Sequence, residues 1–243
     1  MMSDIQYVKV LNEEAIHHGF KYRRGLNVLN VPFEKYGSCV PGGLYFTTLK
    51  HIHKFFDYGE FLVEVFLPTE DPEFCMIMDP DGDKFRANKI ILGDKYSLSS
   101  PETFVKFGII NKIPPLLIRK QLDKHNIKFI QWLEYHNYSF CYIGQKYHNC
   151  GICSMGIILD YAISNGSLKI LEWFKKSKYL GTYDSHSINF ALINGHTHIL
   201  DWLIEMGCIL RFSQEAINTI TANKNIKVLA WLEKYPHIIR SML

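Results

Sequence analysis

The sequence predicts a two-part chain, an α+β domain over residues 1–98 followed by an all-α array of helical repeats over residues 99–243. Three observations lead there. Trp173, Trp202 and Trp231 stand 29 residues apart in one frame, Ile170-Leu171-Glu172-Trp173, Ile199-Leu200-Asp201-Trp202 and Val228-Leu229-Ala230-Trp231. Turn chemistry recurs at matching positions upstream, in Asn165-Gly166, Asn194-Gly195 and Asn223-Lys224. Before residue 98 the helical period fades, and short alternating apolar runs appear between glycines and prolines.

The N-terminal elements follow in order. Gly42-Gly43-Leu44-Tyr45-Phe46-Thr47-Thr48 reads as a strand after a turn, and Leu49 to Tyr58 as a helix ending at Gly59. Glu60 to Pro68 alternates like a strand, as does Ala87 to Leu92. The predicted order is strand, helix, strand. Asp79-Pro80-Asp81-Gly82-Asp83 alternates acids as a calcium loop does, but Ile90 stands where the twelfth-position glutamate belongs. A hairpin turn accounts for it better.

The repeat region opens at Ser100-Pro101-Glu102, a capping residue, a proline at the first helical position and an early acid. Pro114-Pro115-Leu116 starts the next helix, and His125-Asn126 stands where Gly166-Ser167 stands later. Trp132 shares the frame but precedes Trp173 by 41 residues, one period plus 12, which places an insertion near 135–155. Each unit is two short helices and a tight turn. Neither helix buries its apolar face alone, so the units are expected to stack, with Trp132, Trp173, Trp202 and Trp231 as the repeat core.

The units Ala162-Ile163-Ser164-Asn165-Gly166 to Leu171-Glu172-Trp173 and Ala191-Leu192-Ile193-Asn194-Gly195-His196 to Leu200-Asp201-Trp202-Leu203 resemble those of the ankyrin-repeat proteins of giant DNA viruses of the mimivirus type. The resemblance covers about residues 100 to 243 and extends to Gly25-Leu26-Asn27 and Gly42 to Thr47. It implies an ankyrin-like solenoid that recognises proteins. The period of 29 and the missing Thr-Pro-Leu-His opening depart from the ankyrin pattern of about 33 residues, which puts long finger-like hairpins in doubt. A second, shorter resemblance is to ADP-ribosyltransferases: a glycine pair, an aromatic strand, Thr-Thr, a helix and a strand with a glutamate. It implies an alternative function as an NAD-using enzyme targeted by the repeats, with Tyr22 or Arg23 as anchor and Glu64 aimed at the ribose beside Tyr45. Glu64 between Val63 and Val65 is more simply the outward residue of an alternating strand.

Composition narrows the function. The chain is 47% hydrophobic and 21% charged, an ordinary globular balance, and no apolar run approaches the length of a membrane span. Six scattered cysteines suit a reducing compartment, so a cytoplasmic location is expected, in the host cell if the protein is viral. Residues 1–100 carry 11 basic and 14 acidic side chains and the rest 16 and 10, so the halves are −3 and +6. That favours an acidic protein partner but falls short of the basic stripe of nucleic-acid binders. Cys141, His148, Cys150 and Cys153 offer four soft ligands inside the insertion, a set that zinc could use, although ordinary loop cysteines explain them as well and no cofactor is expected. No phosphate loop, nucleophile elbow or zinc-protease frame occurs, so the expected protein is a non-enzymatic protein-protein interaction scaffold. Tyr183 and Phe212, equivalent positions one period apart, with His186 and Arg211 beside them, are the candidate partner contacts.

Overall fold

The computed structural model describes residues 5–136, 153–176 and 184–236. The chain divides into two compact units, Met1–Ile118 and Arg119–Leu243.

The first unit is organised around β1 (Tyr7–Leu11), whose Val8, Val10 and Leu11 are buried. It pairs antiparallel with β5 (Leu44–Thr48) on one side and β6 (Phe61–Phe66) on the other. Beyond β6 come β9 (Lys89–Ser97) and β4 (Gly25–Val28); beyond β5 come β8 (Lys84–Ala87) and β7 (Met76–Met78). The result is a seven-stranded antiparallel sheet in the order β4-β9-β6-β1-β5-β8-β7. A small hairpin, β2 (Ile16–His17) with β3 (Phe20–Lys21), turns through His18 and Gly19, whose positive φ values of 49° and 75° suit the right-handed twist of the flanking strands. Leu11, Tyr22, Leu44, Phe46, Val63, Val65, Ala87, Ile90 and Leu92 form the core.

Two features of the sheet matter later. The β1–β6 ladder runs the length of β1, to Leu11 opposite Phe61, whereas the β1–β5 ladder holds only Tyr7 opposite Thr48 and Val8 opposite Thr47. The strands part there. The Asp79–Asp83 segment is the turn of the β7–β8 hairpin, with Gly82 at φ 72° and its N–H on the Asp79 carbonyl.

The fold class expected of residues 1–98 is overturned. The region is a large antiparallel sheet, not α+β, and the helix read over Leu49–Tyr58 is two single turns of 3-10 helix, Ile52–Lys54 and Phe56–Tyr58. Ile52 and Phe56, both fully buried, are spaced as in a helix, which is the signal the sequence carries. The backbone between them breaks at Phe55, in a stretch of His and Phe with low helix propensity and no side-chain cap. Ala87–Leu92 is likewise not one strand, since β8 ends and β9 begins on either side of Asn88. Asn88 Oδ1 accepts from the Cys75 N–H there.

A short helix, α1 (Pro101–Lys106), follows the sheet, with Ser100 extended at its N-cap and Pro101 at the first position. Then helices come in pairs: α2 (Pro115–Asp123) and α3 (Ile127–Tyr135), α4 (Cys153–Ser164) and α5 (Leu168–Lys176), α6 (Ser185–Ile193) and α7 (Thr197–Glu205), α8 (Gln214–Ala222) and α9 (Ile226–Lys234). In each pair one left-handed residue closes the first helix: His125 at φ 50°, Gly166 at 72°, Gly195 at 74° and Lys224 at 49°. The N–H that follows reaches back to the helix in all four, from Asn126 to Gln121, Ser167 to Ala162, His196 to Ala191 and Asn225 to Ile220.

The ankyrin-like solenoid is corrected as well. An ankyrin unit carries an extended finger between helix pairs, yet the described connection Met206–Ser213 contains no strand. The linkers at 137–152 and 177–183, which would have to make the array continuous, lie outside the described residues. What is observed is a set of helical hairpins in which α4 packs on α6 and α6 on α8.

Candidate functional site

The helical hairpins are tied to one another by side chains that repeat with the period. Trp202 Nε1 donates to Glu172 Oε1 at 2.6 Å, and Trp231 Nε1 donates to Asp201 Oδ1 at 2.8 Å. The acceptor is in each case the acid just before the preceding tryptophan. Trp202 and Trp231 are buried, at 6% exposure each, and Trp132 and Trp173 are half-buried. From the first helices, Asp160 accepts from the N–H of Asp184, the N-cap of α6, at 2.7 Å, and Asn189 from that of Ser213, the N-cap of α8, at 2.9 Å, positions again one period apart. The bonds that end on the carboxylates of Glu172 and Asp201 are charge-assisted, and such bonds are among the stronger side-chain links.

The turn edge has its own links. Ser167 Oγ lies 2.7 Å from His125 Nδ1, His198 Nε2 lies 3.1 Å from the Gly166 carbonyl, and Asn194 Nδ2 donates to the Ser164 carbonyl at 3.3 Å. Successive turns are therefore neighbours. Four places before each tryptophan stands a basic residue: Lys128, Lys169, His198 and Lys227. All four are exposed, with Lys124, His125 and Lys224 exposed beside them. Each of the four lies in the first turn of its helix, α3, α5, α7 or α9, and none of those turns holds an acid. Helix N-termini are positive, so a cation there costs stability, typically 0.3–1 kcal/mol. The crowding registers on half-buried His196, whose pKa is lowered by burial and then by His198 and Lys227.

The residues singled out from sequence fall in different places. His186 and Arg211 are exposed, with His186 Nδ1 2.9 Å from Asp184 Oδ1. Phe212 is 7% exposed and packs edge-on to Trp231 at 6.4 Å, so its ring belongs to the packing between helices and not to an exposed surface. Tyr183, Cys141, His148 and Cys150 lie outside the described residues, and Cys153 begins α4. Among the described residues no three His, Cys, Asp or Glu side chains converge as a metal site. The pairing of Tyr45 with Glu64 is not realised. A cleft lies beside Tyr45, but Glu64 does not line it; Glu64 accepts from the Tyr96 hydroxyl at 3.1 Å and faces Lys106 at 3.8 Å. β1 runs between the strands that carry the two residues. The basic row was missed because each lysine alone is an ordinary exposed residue; only its fixed offset from the tryptophans marks it.

The geometry thus defines an antiparallel sheet unit and a unit of helical hairpins linked by periodic polar contacts. Comparison with known proteins identifies the family, and the chain belongs with a group of proteins of Acanthamoeba polyphaga mimivirus. It is 46% identical over 105 residues to one named as an ankyrin repeat protein, covering 42% of this chain and 52% of that one. It is 45% identical over 107 residues to a second of that name, 42% of this chain and 18% of the relative. A third, named as an uncharacterised protein, is 42% identical over 100 residues, 40% of this chain and 72% of the relative. The chain thus spans about half or less of the ankyrin-named relatives. No protein-family profile matches it, and no solved structure does. No helix among the described residues is long and apolar enough to cross a membrane.

Proposed function

We propose that the protein is a non-catalytic protein-interaction module of viral origin whose helical hairpins dock an acidic segment of a partner protein along their turn edge. One observation carries the reading. Three of the four second helices hold a lysine in the first turn, where the helix field disfavours a cation, and α7 holds His198 at the same place, so Lys128, Lys169 and Lys227 with His198 set a basic row along the turn edge. A carboxylate-rich partner segment would be favoured both by these cations and by the positive helix ends behind them. The names of the relatives support interaction with protein in general. The cytoplasm of the host cell is the proposed place of action, and no cofactor is invoked.

The test is affinity capture from Acanthamoeba lysate with the full chain and with a Lys128→Glu, Lys169→Glu, Lys227→Glu variant. Proteins captured by the first and lost by the second, released by raised salt, resistant to nuclease and sharing an acidic segment, support the reading. Equal capture by both forms refutes it. Loss of all captured material on nuclease treatment would assign the row to nucleic acid instead.

A further inference from the structure

The parting of β1 and β5 opens a cleft in the sheet unit. Past Val8 the β5 edge has no ladder partner on β1, and Lys9 occupies the gap. Its side chain is 4% exposed, and Nζ donates to the Tyr45 carbonyl at 2.7 Å, approaches His17 Nδ1 at 3.3 Å and sits 4.4 Å from the centre of the Tyr22 ring. These partners satisfy its protons but none carries a negative charge. Burial accordingly pulls the Lys9 pKa down to about 7.

The neighbouring imidazole is constrained by the same contact. An ammonium at Lys9 donates to Nδ1 of His17, which leaves the ring proton on Nε2. That Nε2 is buried and has no hydrogen-bond partner among the described residues. Burial, then Lys9 and His18, hold the His17 pKa near 3, so the ring is a neutral donor without an acceptor. A second buried cation lies on the other end of Tyr45. Arg86 is 0% exposed, donates from Nη1 to the Tyr45 hydroxyl at 3.1 Å, and leaves Nε and Nη2 without partners among the described residues. Among the described residues no aspartate or glutamate lines the cleft, and Val10, Phe46, Phe55 and Tyr58 give it apolar surface. Lys84 at its rim is already held by Asp81 at 2.8 Å and Asp79 at 3.3 Å.

We infer that this cleft binds a small organic anion, a carboxylate on an aromatic or apolar body, with Lys9 as its counter-ion and His17 Nε2 donating to it. Buried charges are ordinarily paired and buried donors bonded. Lys9, a buried cation without an anion, and His17, a buried donor without an acceptor, both line the cleft beside its apolar residues. Binding there takes up a proton, because an anion favours the ammonium form of Lys9. The titratable groups around it are His17 and His18 on the β2–β3 hairpin, Tyr22 after β3 and Tyr45 on β5, with Cys39, Tyr58 and Lys84 also on the lining of the cleft.

The test titrates the full chain with acetate, benzoate, 3-phenylpropionate and neutral benzamide, followed by calorimetry and by the imidazole resonances of His17 and His18. Expected are saturable binding of the two aromatic carboxylates, little binding of benzamide, and a loss of about tenfold or more in Lys9→Met, as removal of a charged partner entails. Affinity for benzoate should also fall about tenfold between pH 7 and 8.5 as free Lys9 loses its proton. Failure of all three carboxylates to bind, equal binding of benzamide, or affinity flat across that pH range overturns the proposal. The last two readings need no variant, so they stand even if Lys9→Met does not fold.

Discussion

The sheet unit and the helical unit solve the same problem of burying polar groups in opposite ways. In the helical unit each solution is found once and reused. The Trp202–Glu172 bond returns as Trp231–Asp201, the Asp160–Asp184 contact returns as Asn189–Ser213, and four turns close on four left-handed residues. In the sheet unit nothing repeats: Lys9 fills one gap between strands, Arg86 hangs on one tyrosine, and Asn27 ties Arg23 and Gly25 at one bend. A side chain that recurs marks a rule of the stack, and a side chain that occurs once marks a particular place.

The contrast can be broken at several points. Trp202→Ala removes a ring that is both core and link, and should cost about 3–5 kcal/mol in urea unfolding. A loss below about 1 kcal/mol would show that the ring does not hold adjacent hairpins together. In the sheet unit a comparable loss should follow from adding one methyl group. A Cβ on Gly59 would lie 2.1 Å from the Leu11 carbonyl oxygen, backbone that cannot swing aside, so Gly59→Ala should cost about 2–4 kcal/mol. An unchanged midpoint would mean that the start of β6 can shift away from β1.

These two sites differ in how visible they are beforehand. The tryptophan frame, the Asn-Gly turns and the Asp79–Asp83 hairpin are local, so they can be read along the chain. Gly59 becomes critical only because Leu11, far away in sequence, is drawn against it. Leu49–Tyr58 misled for a related reason, since buried Ile52 and Phe56 carry a helical spacing while long-range packing, not local propensity, sets their backbone. The sheet order, with β1 between β5 and β6, has no sequence signature at all. The basic row was present in the sequence at a constant offset from tryptophan, and the acids before Trp173 and Trp202 were printed inside the frame itself. Their roles depended on knowing which turns are neighbours.

Lys9 supplies a pH test of the sheet unit. Its folded pKa lies near 7, below the ordinary 10.5, so between those values the unfolded chain holds the proton that the folded chain has released. Stability should therefore rise with pH through that window, by up to about 1.4 kcal/mol per unit. In Lys9→Met the rise should vanish. A wild-type stability that falls over the window would show Lys9 to be charged and compensated in the fold.

The smallest effect lies in the turns. Lys224 holds φ 49°, a left-handed conformation that glycine adopts without strain at the equivalent Gly166 and Gly195. Lys224→Gly should stabilise by up to about 1 kcal/mol in thermal unfolding. His125→Gly should gain less, because it also forfeits the contact with Ser167. Loss of stability in Lys224→Gly would mean that the lysine side chain contributes more than its backbone strain costs.

The functional claim rests on which unit meets the partner, and hydrogen exchange on the full chain with a captured acidic partner reads this directly. The account predicts slowed amide exchange at residues 124–128, 165–169, 194–198 and 223–227, with the sheet strands unchanged. Protection confined to the sheet unit, with those four turns exchanging as in the free protein, would contradict it.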